Sequence, residues 1–93
     1  MHKIIAKASL SPQIIRLDVA AVRIARIRQP GQFVIVHRGG DAERIPLTIA
    51  DADAEAGTIT LVIQVAGQST CELAALNPGE AIANIAGPLG HPT

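Results

Sequence analysis

Thr58-Ile59-Thr60-Leu61-Val62-Ile63-Gln64-Val65 is the stretch that orients the reading of this chain. Ile59, Leu61, Ile63 and Val65 fall on one face, and Thr60, Val62 and Gln64 on the other, the period of a half-buried β-strand. Upstream, Ile15, Leu17 and Val19 alternate with Arg16 and Asp18 in the same way. Val22-Arg23-Ile24 is expected to continue that strand past an irregularity at Ala20-Ala21. His2 to Ala8 reads as the first strand, and Phe33 to Val36 as a strand with little exposed face. Ile45 to Ile49 reads as a short strand. Pro46 places it at a sheet edge or a strand start, because proline has no N–H to give to a ladder. Ala81 to Ile85 is the last strand. Ser11-Pro12, Pro30-Gly31, Gly39-Gly40-Asp41 and the acidic link from Asp51 to Gly57 separate these runs. After Gly67 the period changes. Ser69 to Leu76 is expected to form one or two helical turns, capped by Ser69 or Thr70, with Glu72 near the positive end and Asn77-Pro78-Gly79 as the stop. About six strands and one short helix make an all-β fold, a small antiparallel barrel or sandwich.

The composition narrows the function. Ninety-three residues, 48% of them hydrophobic, suit one small domain with one core and exclude a disordered chain. Eight Lys+Arg balance eight Asp+Glu, so the basic excess of a nucleic-acid surface is missing. One Phe, with no Tyr or Trp, leaves no stacking platform for single strands, and Phe33 is assigned to the core. No apolar run approaches the ~18 residues of a membrane span. Met1-His2-Lys3 leads straight into alternating sequence, so no signal peptide is expected and the cytoplasm is the expected location. Cys71 stands alone, which excludes an intrachain disulfide and a cysteine-based metal or iron–sulfur site; it is read as small and semi-buried. His2, His37 and His91 are isolated and read as surface or strand-end residues, so no metal site is expected. Asp51-Ala52-Asp53-Ala54-Glu55 imitates the start of a calcium loop. Ala56 stands where the turn glycine belongs and Val62 where the closing Glu belongs, so a solvated hairpin link is the better reading.

Two stretches carry candidate chemistry. In Arg44-Ile45-Pro46-Leu47-Thr48, an Arg fork suited to phosphate oxygens and a Thr hydroxyl bracket a strand start. By spacing alone, an exposed Arg ahead of a buried edge strand explains this pentapeptide better. In Val65-Ala66-Gly67-Gln68-Ser69-Thr70, Gly67 permits a sharp turn or close approach by a ligand, and unpaired amides open the following helix. An anion cradle and an ordinary strand-to-helix turn explain it equally well. It is neither a Walker loop nor a dinucleotide fingerprint.

Taken together and in order, four motifs carry a resemblance. They are Pro30-Gly31-Gln32-Phe33, Arg44-Ile45-Pro46-Leu47-Thr48-Ile49-Ala50, Thr58 through Gly67, and Gly87-Pro88-Leu89-Gly90. Over essentially its whole length the chain resembles the flavin-binding domain of the ferredoxin–NADP reductase superfamily. The narrower resemblance is to the small subunits of NADH-dependent ferredoxin:NADP oxidoreductase (sulfide dehydrogenase), with dihydroorotate dehydrogenase electron-transfer subunits as relatives. The resemblance implies a six-stranded antiparallel Greek-key barrel that binds FAD. It implies that Arg44 meets the pyrophosphate, that Thr48 sits at the isoalloxazine edge, and that Pro46 and Leu47 line the flavin. Gly67, Ser69 and Thr70 then receive the pyrophosphate, with Gln64, Val65 and Ala66 along the flavin and ribityl path. Gly87 to Gly90 resembles the link to a nicotinamide-binding domain.

The implied function is that of one domain, residues 1–93, of an oxidoreductase subunit moving electrons between a nicotinamide cofactor and an iron–sulfur centre or ferredoxin. The domains for NAD(P)H and for a [2Fe–2S] cluster are absent from this stretch, so the chain is expected to be a fragment and catalytically incomplete alone. The implied partners are that nicotinamide domain and a larger oxidoreductase subunit, with no nucleic acid and no membrane. A flank left bare by the missing domain gives an expectation of self-association. The competing reading is a non-catalytic barrel that serves assembly without a cofactor. A lipoyl- or biotinyl-carrier is disfavoured because Lys3 and Lys7 both lie in the first strand.

Overall fold

The structure is a computed structural model and describes residues 1–92. The elements run β1 (His2–Ser11), β2 (Ile14–Ala20), α1 (Val22–Ile27), β3 (Phe33–His37), β4 (Arg44–Asp53), β5 (Thr58–Gln64), α2 (Gln68–Ala74), β6 (Ala81–Ile82) and β7 (Asn84–Leu89). Every strand pairing is antiparallel, in the order β6-β1-β2-β5-β4-β3-β7. The chain leaves β2, passes over two strands and enters at β3, which makes the Greek key. No helix among the described residues is long and apolar enough to cross a membrane.

The barrel is as expected, with seven strands in place of six. The expected last strand breaks at Ala83. Residues before it pair with β1 and residues after it pair with β3, so one short segment ties the two ends of the sheet order together. A second correction concerns Val22-Arg23-Ile24, which is helical and does not extend β2. Ala21, Ile24 and Ala25 are buried while Val22, Arg23, Arg26 and Ile27 are exposed. That is an i, i+3, i+4 face, too short to stand out against the strand-like residues around it. β4 also runs on to Asp53, because a bulge between Ile49 and Asp51 carries the acidic residues into the ladder.

The core follows the alternation. Leu17, Val19, Ile59, Leu61 and Ile63 are fully enclosed, joined by Ile4, Val34, Val36, Ile49, Leu73 and Ile82. Phe33 is not among them and is half-buried. With Val34 and Val36 turned inward, the pleat sends Phe33 to the opposite face, where the chain at Gly90 lies against its ring.

Gly57 closes the β4–β5 hairpin at φ +72° and accepts the Ala21 amide at 2.8 Å. A Cβ there would lie 2.7 Å from Val22 Cγ2. Gly57→Ala is therefore expected to destabilise the protein by about 1–3 kcal/mol through strain and crowding together. Urea denaturation followed by circular dichroism reads this directly, and a change near zero would show that α1 can shift aside.

Candidate functional site

The site begins where two neighbouring strands part. The β4–β5 ladder starts at Ile49 opposite Leu61, so residues 44–48 pair with β3 alone. The Ile49 amide donates to the Gln32 carbonyl at 3.1 Å, on the β3 side. Backbone groups alternate along an antiparallel strand. Those of Arg44, Pro46 and Thr48 therefore turn to the other flank, which β5 reaches only at the end next to Ile49. This accounts for Pro46, whose missing N–H falls where no ladder needs it. The sequence places Pro46 at a strand start, and it is the third residue of β4. The strand lies between two others in the sheet order, and the edge is local to this end.

Side chains alternate too. Arg44, Pro46 and Thr48 are exposed on one face, while Ile45 and Leu47 are half-buried against the core. Cross-strand partners share a face, so Phe33 stands beside Thr48, Ile35 beside Pro46 and His37 beside Arg44. Arg44 takes part in no side-chain hydrogen bond or ion pair among the described residues.

Beyond β5 the chain turns through Val65, Ala66 and Gly67 into α2. An open depression of about 490 Å³ lies here, lined by Glu43, Ala66, Gly67, Gln68, Ser69 and Thr70. Gly67 is extended, at φ 174°, and an added Cβ would meet nothing within 4 Å. Neither backbone strain nor a protein neighbour demands glycine at this position. What glycine leaves is room beside the depression.

The expected side-chain cap of α2 is absent. Gly67 is the N-cap, with no side-chain cap bond. Thr70 Oγ accepts the Ala66 amide at 2.9 Å and donates to the Gly67 carbonyl at 3.1 Å, which folds the turn upon itself. Ser69 Oγ donates to Glu43 Oε2 at 2.8 Å. Glu72 lies past the first turn, where it accepts from Gln68 and pairs with Arg38. Cys71 is exposed, not semi-buried, because α2 turns Leu73 and Ala74 to the core instead.

The structure thus brings Gly67, Ser69 and Thr70 to one depression and joins it, through Glu43, to the start of β4 and Arg44. Gln64 and Ala66 are exposed at its approach, whereas the side chains of Leu47 and Val65 pack against the core. Glu43, Arg38 and Glu72 are the participants that the sequence reading missed. Their contacts span 26 and 34 positions and no local pattern announces them. Gln32 is a fourth, donating to the Gly90 carbonyl at 3.0 Å while accepting the Gln29 amide. Arg28 is a fifth, reaching beneath β4 to the Ile49 carbonyl at 3.3 Å, with its Nε buried and unpaired.

No protein-family model matches the sequence. Individual proteins do. An uncharacterized protein in the adh 3′ region of Clostridium beijerinckii is 47% identical over 93 residues, all of this chain and 31% of that protein. A dihydroorotate dehydrogenase B (NAD(+)) electron transfer subunit homolog of Thermotoga maritima is 32% identical over 100% of this chain and 33% of its own length. The electron transfer subunit from Enterococcus faecalis is 33% identical, with 98% and 35% covered. Among solved structures, a chain of the NADH-dependent reduced ferredoxin–NADP oxidoreductase, studied for flavin-based electron bifurcation, superposes with a TM-score of 0.97. It is 32% identical and covers 100% of this chain and 34% of that one. The chain spans about a third of the length of the proteins it matches.

Proposed function

We infer, from the membership of this chain in the ferredoxin–NADP reductase superfamily, that it is the FAD-binding barrel of an electron-transferring oxidoreductase subunit. The observation that carries the reading is the open flank of β4. There a free Arg44 and an exposed Thr48 share one face, next to a depression ringed by Gly67, Ser69 and Thr70.

The residues fit a flavin dinucleotide. A pyrophosphate carries two negative charges, and the unpaired Arg44 fork supplies donors of the right kind, while the Ser69 hydroxyl can join it only by leaving Glu43. Gly67 leaves room for the phosphates beside the turn. Thr48 offers an exposed hydroxyl to the polar edge of the ring system. Pro46 gives an apolar surface on the same face, with Phe33 beside Thr48. Leu47 and Val65 act from behind, holding the strand ends that shape the opening, and Gln64 and Ala66 border the path between the two halves. When bound, FAD would supply the electron-carrying chemistry, and the protein would contribute binding and orientation. By the same reading, a nicotinamide domain for NAD(P)H, a [2Fe–2S] centre and a larger oxidoreductase subunit are the partners of the intact assembly, in the cytoplasm.

The test is an absorbance spectrum of the purified protein after incubation with excess FAD and removal of free ligand. Retained flavin bands near ~450 nm are expected. A colourless protein with an intact circular dichroism spectrum would count for the non-catalytic barrel instead.

A further inference from the structure

One charged side chain beside β4 is unfavourable for the fold taken alone. Arg28 is the C-cap of α1, and its amide donates to the Ile24 carbonyl at 2.9 Å. The side chain is half-buried and reaches β4, where Nη2 donates to the Ile49 carbonyl at 3.3 Å. The Gln32 carbonyl takes the Ile49 amide at 3.1 Å. Together they extend the β3–β4 pairing one residue past its last pair, Phe33 with Thr48. That contact is long and uses one of the five donors of a guanidinium. Arg28 Nε is the only buried side-chain nitrogen or oxygen without a partner among the described residues. No carboxylate is within ion-pair distance of this group, since the ion pairs among the described residues are Arg16 with Asp18 and Arg38 with Glu72. A permanent charge partly withdrawn from water and left without a counter-ion is unfavourable, and the unmade bond of a buried donor adds to that. A cation does suit the C-terminus of a helix, but that offset is small for one as short as α1.

The charge lies next to the part of β4 assigned to the ring system. Ile49 directly follows Thr48, and Thr48 is exposed where β4 and β5 part. We propose that Arg28 is an uncompensated cation fixed behind the Thr48 end of β4, and that it sets the redox preference of the bound flavin toward the reduced form. The proposal rests on the FAD reading above. An isoalloxazine ring gains negative charge on reduction, so a fixed cation nearby stabilises the reduced form more than the oxidised one. Arg28 does this without touching the ligand. It acts through its field, and by countering the negative end of the Ile49 carbonyl dipole. Arg44 differs in kind. It is assigned to the pyrophosphate, whose charge is the same in both redox states, so it governs how tightly the cofactor is held. Arg28 governs which form is preferred.

The midpoint potential of FAD bound to the wild-type protein, Arg28→Lys, Arg28→Gln and Arg28→Met tests this, read spectroscopically against a reference dye. Circular dichroism and melting curves confirm the fold of each. Arg28→Met is expected to lose about tenfold of the preference for reduced over oxidised FAD, the size of a solvent-screened unit charge. For a two-electron couple this is a potential about 30 mV more negative. Arg28→Gln can still donate to the Ile49 carbonyl and lacks only the charge, so it shifts as Arg28→Met does. Arg28→Lys keeps the charge and stays near wild type. Without FAD, Arg28→Met melts no lower than wild type, because an unpaired charge and an orphaned donor have been removed. Unchanged potentials in Arg28→Met and Arg28→Gln, with FAD bound, overturn the proposal and leave the FAD reading intact. A shift in Arg28→Met that Arg28→Gln does not share also overturns it, since the hydrogen bond and not the charge then matters. Failure of Arg28→Met and Arg28→Gln to fold overturns it as well and makes Arg28 a strut between α1 and β4. Absence of FAD binding in every protein, all of them folded, removes the FAD reading and the proposal with it.

Discussion

Replacing Arg44 by alanine is expected to weaken FAD binding about tenfold or more while leaving the melting temperature unchanged. Arg44 is exposed and free of side-chain partners in the structure, so truncating it removes nothing that the fold uses. Its contribution appears only when an anion arrives. A charge-assisted hydrogen bond is worth about 1.5–3 kcal/mol, and 1.4 kcal/mol is about a factor of ten. Two parallel bonds from one planar fork put the effect at the upper end. Arg44→Lys keeps the charge and loses the fork, so it should recover part of the affinity and no more. Fluorescence titration of FAD measures all three proteins. An affinity identical to wild type for Arg44→Ala would remove this residue from the site.

The other large effect is on stability. Leu61 is 0% exposed and pairs with Leu17 on β2 and Ile49 on β4, where three strands meet. Leu61→Ala takes the side chain from the middle of the barrel, and close-packed strands on both sides limit collapse into the gap. A loss of about 2–5 kcal/mol follows. A domain of this size has a total stability on the order of 5–14 kcal/mol at ~0.05–0.15 kcal/mol per residue. The lone Cys71 leaves no disulfide within the chain to add to it. The variant should unfold at much lower urea with an unchanged m-value. A shift below about 1 kcal/mol would mean that the barrel interior repacks far more freely than its strand registers imply.

Strands β2 and β5 could be read directly because alternation is a local signal, and each of them has one buried face. The Greek-key order came from the resemblance of four spaced motifs, and pattern alone left a sandwich equally open. The misreadings share a cause. Helix α1 has six residues, and its buried face rests on two alanines and one isoleucine, too little to show a 3.6-residue period. The extended β4 depends on a bulge, which moves Asp51 and Asp53 into register without changing any residue type. The sequence reading puts Phe33, the sole aromatic, in the core, but the register of β3 follows Val34 and Val36. In the site, Arg44, Thr48, Gly67, Ser69 and Thr70 were legible as types at a spacing. Glu43 was not, because its contact with Ser69 exists only once the start of β4 and the first turn of α2 are brought together by the fold.

The parting of β4 from β5 has one more consequence. Along residues 44–48 the strand pairs with β3 alone, so a lightly secured stretch of the barrel is also the place proposed for its ligand. Whatever lodges there lends the strand a second neighbour. Occupancy and resistance to heat then become two readings of one equilibrium, since a ligand that favours the folded form raises its melting point by mass action. Such a protein would be at its most fragile when idle and at its most robust when loaded.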